Sequence, residues 1–353
     1  MKSSDDLHAN RPRIAVTGGA GFIGSHTAVA LYESGYAPVI IDDFRNSAAG
    51  VIGKIEGLIG AKLECYAVDC GDIASLSQLF AAPLHGAIHF AADKSVGDSV
   101  AEPEQYFANN LGSMAHWIRA MRSHGVAHLV FSSSCTVYGE PDSLPVDEQA
   151  PLQEATSPYG YTKQAGEQLL RYAHAASHAA DKTTPGSGMG AALLRYFNPI
   201  GAHPSAAIGE LPLGTPSNLV PFLTQAAAGL RDELVVFGND YPTADGTCVR
   251  DYLHVCDLAE AHVAALQHLE KNPGDFDVFN LGSGSGHSVL DVIRTFEAAT
   301  GVAVPHRIGP RRPGDVISVY AAAQKAADIL GWQTKRSLHV ALADAWRWQQ
   351  QVG

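Results

Sequence analysis

Short apolar runs recur along the first half of the chain, and each gives way to a stretch whose apolar positions keep helical spacing. Ile14, Ala15 and Val16, flanked by Arg13 and Thr17, suit a parallel strand buried on both faces. A helix is predicted over residues 25 to 34, ending at Gly35, and a second strand over 38 to 41. Strands follow over 63 to 68, 86 to 92 and 129 to 132, with helices over 73 to 80 and 103 to 124 between them. Ser157 and Pro158 open a long helix: a side-chain oxygen caps free amides, then a ring with its backbone angle already set begins the first turn. It runs from Tyr159 to about residue 180 and precedes a sixth strand over 191 to 196. Such alternation predicts an α/β fold with a doubly wound parallel sheet of Rossmann type, ligands gathering at the carboxyl ends of its strands.

Polar residues fall at those ends. Directly after the first strand stand Gly18, Gly21 and Gly24, at a strand-to-helix junction where glycine allows a tight turn and close approach of backbone amides to a pyrophosphate. The second strand ends at Asp42, where an acidic group binds a ribose 2′-hydroxyl and repels a 2′-phosphate, so NAD is favoured over NADP. Arg45 nearby weakens that preference a little. The third strand ends at Asp69, an expected neighbour of the adenine, and the fourth at Asp93 and Lys94. Asn109 and Asn110 lie on the following helix, and Ser132, Ser133 and Ser134 close the fifth strand. Any one of these could simply end a strand; the set fits that description poorly.

Tyr159 and Lys163 stand four apart on one helix face, where a fixed ammonium favours the phenolate and brings the phenol toward the range of a general base. A Tyr and a Lys at this spacing occur by chance in many helices. Ser134 changes the weight of the pair, because such a sheet puts it beside the same pocket, where its hydroxyl can bridge substrate and phenolate.

Composition then narrows the function. A net charge of −12 argues against a general nucleic-acid surface, so an anionic ligand has to be met by a few placed cations or by backbone amides. The five cysteines, Cys65, Cys70, Cys135, Cys248 and Cys256, lack paired spacing and read as reduced thiols of a cytoplasmic protein; no metal site is expected among the sixteen histidines. No apolar run reaches membrane-spanning length, and residues 1 to 10 read as a disordered tail. Residues 181 to 190 form a Gly/Pro-rich surface loop, and a second such stretch, 201 to 221, marks the crossing to a smaller substrate-covering domain. The expected division is 11–197 for the dinucleotide domain, with a return from about 250–283, and 198–345 for an α/β substrate domain. A short strand over 234 to 238 lies in the second part, as do Arg250, Arg311 and Arg312. Paired guanidinium groups suit a diphosphate, and salt bridges to the many carboxylates are the alternative.

Together the glycine triad, Ser134 and the Tyr159/Lys163 pair resemble the extended short-chain dehydrogenase/reductase superfamily. Within it, the stretches from Leu194 (Leu-Arg-Tyr-Phe-Asn-Pro-Ile-Gly-Ala-His-Pro) and Phe237 (Phe-Gly-Asn-Asp-Tyr-Pro-Thr-Ala-Asp-Gly-Thr) are similar to the UDP-glucose 4-epimerase family. The resemblance covers essentially everything after the first dozen residues. It implies an isomerase that interconverts UDP-galactose and UDP-glucose through a 4-keto sugar: Tyr159 takes the 4-hydroxyl proton, Ser134 bridges, and hydride leaves C4 for a tightly held NAD. Lys163, with the cationic nicotinamide, holds the phenol down and binds the nicotinamide ribose.

The resemblance also implies that the cofactor is lined by Phe22, Ile23, Asp42, Asp43, Phe44, Arg45, Asn46 and Ser47, and further by Asp69, Cys70, Phe90, Ala91, Ala92, Lys94, Asn110 and Phe197. The UDP-sugar falls to Lys94, Asn198, Asn218, Leu219, Val235, Val236, Phe237, Arg250, Arg312 and Asp315. Val319, or Tyr320 if the match is one residue out, stands where side-chain volume limits room for an N-acetyl group, so UDP-N-acetylhexosamines enter as further substrates. A homodimer built on helices of the cofactor domain is expected. Two other functions compete. A nucleotide-sugar 4,6-dehydratase requires an Asp-Glu pair where this chain has Cys135 and Thr136, and a non-catalytic NAD-binding regulator has no need of Ser134, Tyr159 and Lys163 together.

Overall fold

The computed structural model describes residues 11–72, 74–75, 79–180, 188–312 and 314–352. The expected tail, most of the loop over 181 to 190, and residues 73 and 76–78 of the expected helix lie outside the described residues. In chain order the first strands are β1 (Arg13–Thr17), β2 (Ala37–Ile41), β3 (Glu64–Tyr66), β4 (Gly86–His89), β5 (His128–Ser134) and β6 (Gly190–Tyr196). Then come β7 (Asn198–Ile200), β8 (Leu234–Phe237), β9 (Val249–His254), β10 (Phe276–Leu281), β11 (Gly286–Ser288), β12 (His306–Gly309) and β13 (Ser318–Val319). The main sheet has seven strands in the order β10-β6-β5-β4-β1-β2-β3, and its pairs are all parallel. This is the doubly wound sheet that the alternation predicts. Between β1 and β4 the winding changes direction, and the strand ends there open a crevice.

Both faces of the sheet are covered, which is why its strands read as unbroken apolar runs. Successive side chains point to opposite sides: Ile14 and Val16 join one core with Leu31, Val130 and Phe279, while Ala15 joins another with Trp117, Met121 and Leu170. The helices in chain order are α1 (Phe22–Glu33), α2 (Val51–Ile59), α3 (Val96–Ala101), α4 (Pro103–Tyr106), α5 (Ser113–Ser123), α6 (Pro158–Ala180), α7 (Leu219–Ala227), α8 (Val255–Lys271), α9 (Val289–Thr300) and α10 (Leu338–Val352). α1 and α8 pack together over the first core, while α5 and α6 lie over the second. No helix among the described residues is long and apolar enough to cross a membrane.

Four of the expected boundaries that move do so for a clear local reason. The strand expected over 86 to 92 stops at His89, because Phe90 and Ala91 bend to donate their amides to the Thr17 carbonyl (3.0 Å) and hydroxyl (3.3 Å). The third strand is cut to three residues where the Val68 amide turns back onto the Tyr66 carbonyl. The fifth strand runs on through Ser134. The helix expected over 103 to 124 is three pieces, α4, a π-helical turn (Phe107–Gly112) and α5. The wider turn carries Asn110 inward, where its amide accepts from the Asp93 amide (2.8 Å) and donates to the Asp93 carbonyl (3.0 Å) and the Thr162 hydroxyl (3.2 Å).

Beyond β6 the chain builds a smaller region. β9 pairs with β7 and β13 in parallel and with β11 antiparallel, β8 pairs with β12, and α7, α9 and α10 cover them around Leu223, Phe296 and Leu342. Buried Asp251 of β9 ties this region to the end of β10: its carboxylate accepts from the amides of Ser283 (2.8 Å), Gly284 (3.1 Å) and Ala321 (3.1 Å) and from the Ser283 hydroxyl. Asp251→Ala leaves those donors, the buried Ala321 amide among them, without their acceptor, and each costs on the order of 1 kcal/mol where it is cut off from water. Urea denaturation is expected to show a loss of roughly 3 kcal/mol in stability; a loss below about 1 kcal/mol contradicts this role for Asp251.

Candidate active site

The cradle for a dinucleotide forms where β1 turns into α1. Gly18 has a left-handed φ of 68°, and a Cβ there would sit 2.9 Å from the Ala91 nitrogen. At Gly24 a Cβ would lie 2.3 Å from the Gly18 carbonyl oxygen, so neither glycine accepts a side chain. α1 begins at Gly21 with no side-chain cap and no acidic residue in its first turn. The amides of Phe22, Ile23 and Gly24 therefore have no intrahelical acceptor and face the crevice end with the positive pole of the helix, a fit for a pyrophosphate. Asp42 closes the loop, accepting from the amides of Ala20 and Phe44 (both 2.9 Å) and the Ser47 hydroxyl (2.8 Å). Arg45, the residue that weakened the preference for NAD, is paired with Asp43 and Asp69, and its charge is offset there. Asn46 donates to Asp93 at 3.2 Å. Cys70, Asn110 and Phe197 are buried around the same crevice, and Phe90 packs on His262. These residues fit the group that the sequence implies.

At the mouth of the crevice the structure brings Ser134, Tyr159 and Lys163 together. The Ser157 hydroxyl accepts from the Gly160 amide at 3.1 Å, the cap that starts α6 at Pro158 and so fixes which face Tyr159 and Lys163 present. The Ser134 hydroxyl neighbours the Tyr159 phenol and accepts from the Thr136 amide at 3.2 Å. The Lys163 ammonium donates to the Ser132 carbonyl at 2.7 Å and lies 5.8 Å from the centre of the Tyr159 ring. Burial pushes the Tyr159 phenol above its ordinary range, and the neighbouring Ser134 hydroxyl opposes that. Lys163, also buried, is pulled down to about 8 by desolvation, which Glu167 opposes. The expected lowering of the phenol by Lys163 is thus outweighed by burial in the protein alone, and further positive charge is needed to make Tyr159 a base near neutrality.

The candidate substrate residues converge from the smaller region. Arg312 donates to both oxygens of Asp315 (3.1 and 2.7 Å), and Arg250 lies 3.9 Å from the same carboxylate. The Phe237 ring is 41% exposed with the Arg312 guanidinium 5.4 Å above it, a platform open to a planar base. Val235 is partly exposed beside it, whereas Val236 turns its side chain into the core. Asn198 is held by the Asp251 carbonyl (3.1 Å), and Leu219 opens α7. Asn218 and Lys94 meet across the crevice on Glu210, at 2.8 and 3.4 Å. Val319 is buried with Val137, Tyr138 and Phe197, whereas Tyr320 lies on the other face of its strand against Gly286.

Sequence reasoning missed Glu210, and it missed the buried group behind the serines: Glu167, Arg195, Tyr138 and Asn280. One signal was available for the latter. Arg195 interrupts an apolar strand, and a guanidinium inside a sheet demands an anion.

Fold and crevice define an enzyme that works with a bound dinucleotide. The model of the NAD dependent epimerase/dehydratase family matches residues 14–282. The UDP-glucose 4-epimerase of Yersinia pestis is 48% identical over 337 residues, 95% of this chain and 97% of that protein. The one from Bacillus subtilis (strain 168) is 48% identical over 95% of this chain and 96% of its own length. A crystal structure of UDP-glucose-4-epimerase from Stenotrophomonas maltophila, with bound NAD and formylated UDP-arabinopyranose, superposes with a TM-score of 0.91 at 46% identity, covering 97% of this chain and 99% of that one. The chain belongs to the NAD dependent epimerase/dehydratase family and, within it, to the UDP-glucose 4-epimerases.

Proposed function

We propose that this protein interconverts UDP-galactose and UDP-glucose by reversible oxidation at C4 of the sugar, with Tyr159 as the acid–base residue. The observation that carries the assignment is Lys163, buried one helical turn from Tyr159, with its ammonium 5.8 Å from the centre of the phenol ring and bound to the Ser132 carbonyl at 2.7 Å, two residues before Ser134. When bound, the nicotinamide of NAD supplies a reversible hydride acceptor and a positive charge beside the phenol. Tyr159 takes the proton of the sugar 4-hydroxyl as the C4 carbonyl forms, and Ser134 passes or orients that proton through its own hydroxyl. The 4-keto sugar turns its other face, and the same tyrosine returns the proton, so no net oxidation occurs. Arg250 and Arg312 exchange part of their hold on Asp315 for the diphosphate, while Phe237 and Val235 receive the uracil. Lys94 and Asn218, joined through Glu210, flank the sugar side.

The competing dehydratase chemistry lacks its acid and base, because Cys135 and Thr136 stand after Ser134 and burial drives the Cys135 thiol up to about 12. Val319 packs with Phe197 and Tyr138, and its side chain, smaller than a tyrosine, supports turnover of UDP-N-acetylhexosamines. The division at about residue 198 supports a cofactor domain before it and a substrate domain after it, with β10 returned to the first. Five free cysteines support a cytoplasmic location. The outer face of α3 to α6 exposes Val100 (63%), Tyr161 (50%) and Tyr172 (68%), and such a surface supports a homodimer.

Three outcomes are expected. Purified protein turns UDP-galactose into UDP-glucose, and Tyr159→Phe cuts kcat by roughly 1,000-fold or more while the dinucleotide stays bound; a variant within about tenfold of the parent removes Tyr159 from the chemistry. Parallel kinetics with UDP-N-acetylgalactosamine give measurable turnover that Val319→Tyr suppresses, and an absence of turnover in the parent would sink the role given to Val319. Sedimentation at micromolar concentration gives a dimer that Tyr172→Glu dissociates; a monomeric parent contradicts the interface.

A further inference from the structure

On the epimerase assignment above, α6 presents Tyr159, Lys163 and Glu167 at successive four-residue intervals, so the three share one face. That face meets three consecutive serines of β5. Tyr159 neighbours Ser134, Lys163 donates to the Ser132 carbonyl at 2.7 Å, and the Ser133 hydroxyl donates to Glu167 Oε1 at 2.6 Å. Glu167 is 2% exposed. Its remaining capacity is filled by Arg195 of β6, with Nε at 2.8 Å from Oε1 and Nη2 at 2.6 Å from Oε2. Arg195 in turn donates to the Tyr138 hydroxyl at 3.0 Å, and that hydroxyl donates to Asn280 at 2.7 Å.

Stability alone is a poor reason for such a pair. Desolvating two charges costs about as much as their attraction returns, and apolar residues of similar volume would serve as well. Its position suggests another use. We propose that Glu167 is a positioning residue for proton transfer at Tyr159: through Ser133 it fixes the serine row of β5 against α6, and its carboxylate sits one turn from Lys163 to keep that side chain an ammonium. The other groups around Lys163 offer no such help. His89 of β4 is buried and lowered to about 3, hence neutral. Burial raises Tyr159, and it raises Tyr196 and Cys135 to about 12, so these carry no negative charge near neutrality. Arg195 is paired with Glu167 itself.

The test compares the NAD-bound parent with Glu167→Gln, which keeps size and hydrogen-bonding oxygen but removes the charge. In the parent, kcat is expected to fall as pH rises through about 8, where Lys163 loses the proton that supports the phenolate. In Glu167→Gln that alkaline limb moves down by about one pH unit, kcat at neutral pH drops about tenfold, and KM stays within about twofold. A structural role alone would not move the limb. A ¹³C NMR titration of labelled lysine, with Lys163 assigned from Lys163→Arg, reads the same midpoint without turnover and is expected to shift the same way. Because Gln leaves Arg195 unpaired, Glu167→Gln/Arg195→Met removes both charges and guards against unfolding; a downward shift of the same sign but smaller is expected, since no unpaired guanidinium adds to it. A folded variant with an unmoved Lys163 midpoint and alkaline limb overturns the proposal. A parent that turns over no UDP-hexose overturns the assigned reaction instead, and the NMR midpoint still decides the hold of Glu167 on Lys163.

Discussion

The contact on which the site depends is the seating of one face of α6 against the last residues of β5. A strand end in a parallel sheet presents one side chain per residue on alternating faces, but its carbonyls and short hydroxyl groups remain close to the backbone. Serines at 132, 133 and 134 therefore offer three acceptors or donors within reach of a helix laid alongside. Tyr159, Lys163 and Glu167 meet them at one per turn. If the helix slipped by one residue the face would rotate by about 100° and all three contacts would be lost together. Ser157 at the start of α6 and the Glu167–Arg195 pair along it guard against that slip from two places.

Charge is handled by placement rather than by abundance. The chain is acidic overall, yet its proposed ligands are a dinucleotide and a nucleoside diphosphate sugar, both anionic. Backbone amides at the start of α1 are a fit for one pyrophosphate that needs no cation. On the other side, Arg250 and Arg312 are both held near Asp315. Arg45 illustrates the converse. Its charge is taken up by Asp43 and Asp69.

Much of the cofactor half was legible in the sequence, because strands buried on both faces leave continuous apolar runs and because glycine, proline and a capping serine mark where elements begin. Asp42, Ser134, Tyr159 and Lys163 follow from those boundaries. The π-helical turn at Asn110 was not legible, since it spans only Phe107–Gly112, too few residues for a wider period to show in the apolar spacing. Nor was Glu167: a glutamate in a long amphipathic helix looks like solvated surface until the strand opposite is known to carry Arg195. The smaller region was least legible. Its strands are two to six residues long, and Asp251 joins parts of the chain separated by about thirty and seventy residues, a relation that no local pattern encodes.

The most direct measurement follows the hydrogen on C4. UDP-galactose deuterated at C4 is incubated with the protein in ordinary water, and the UDP-glucose formed is examined by NMR and mass spectrometry. If a proton acceptor and a sheltered hydride acceptor face the same carbon, the product keeps its deuterium at C4, because that hydrogen never meets solvent. Loss of the label to water would contradict the account.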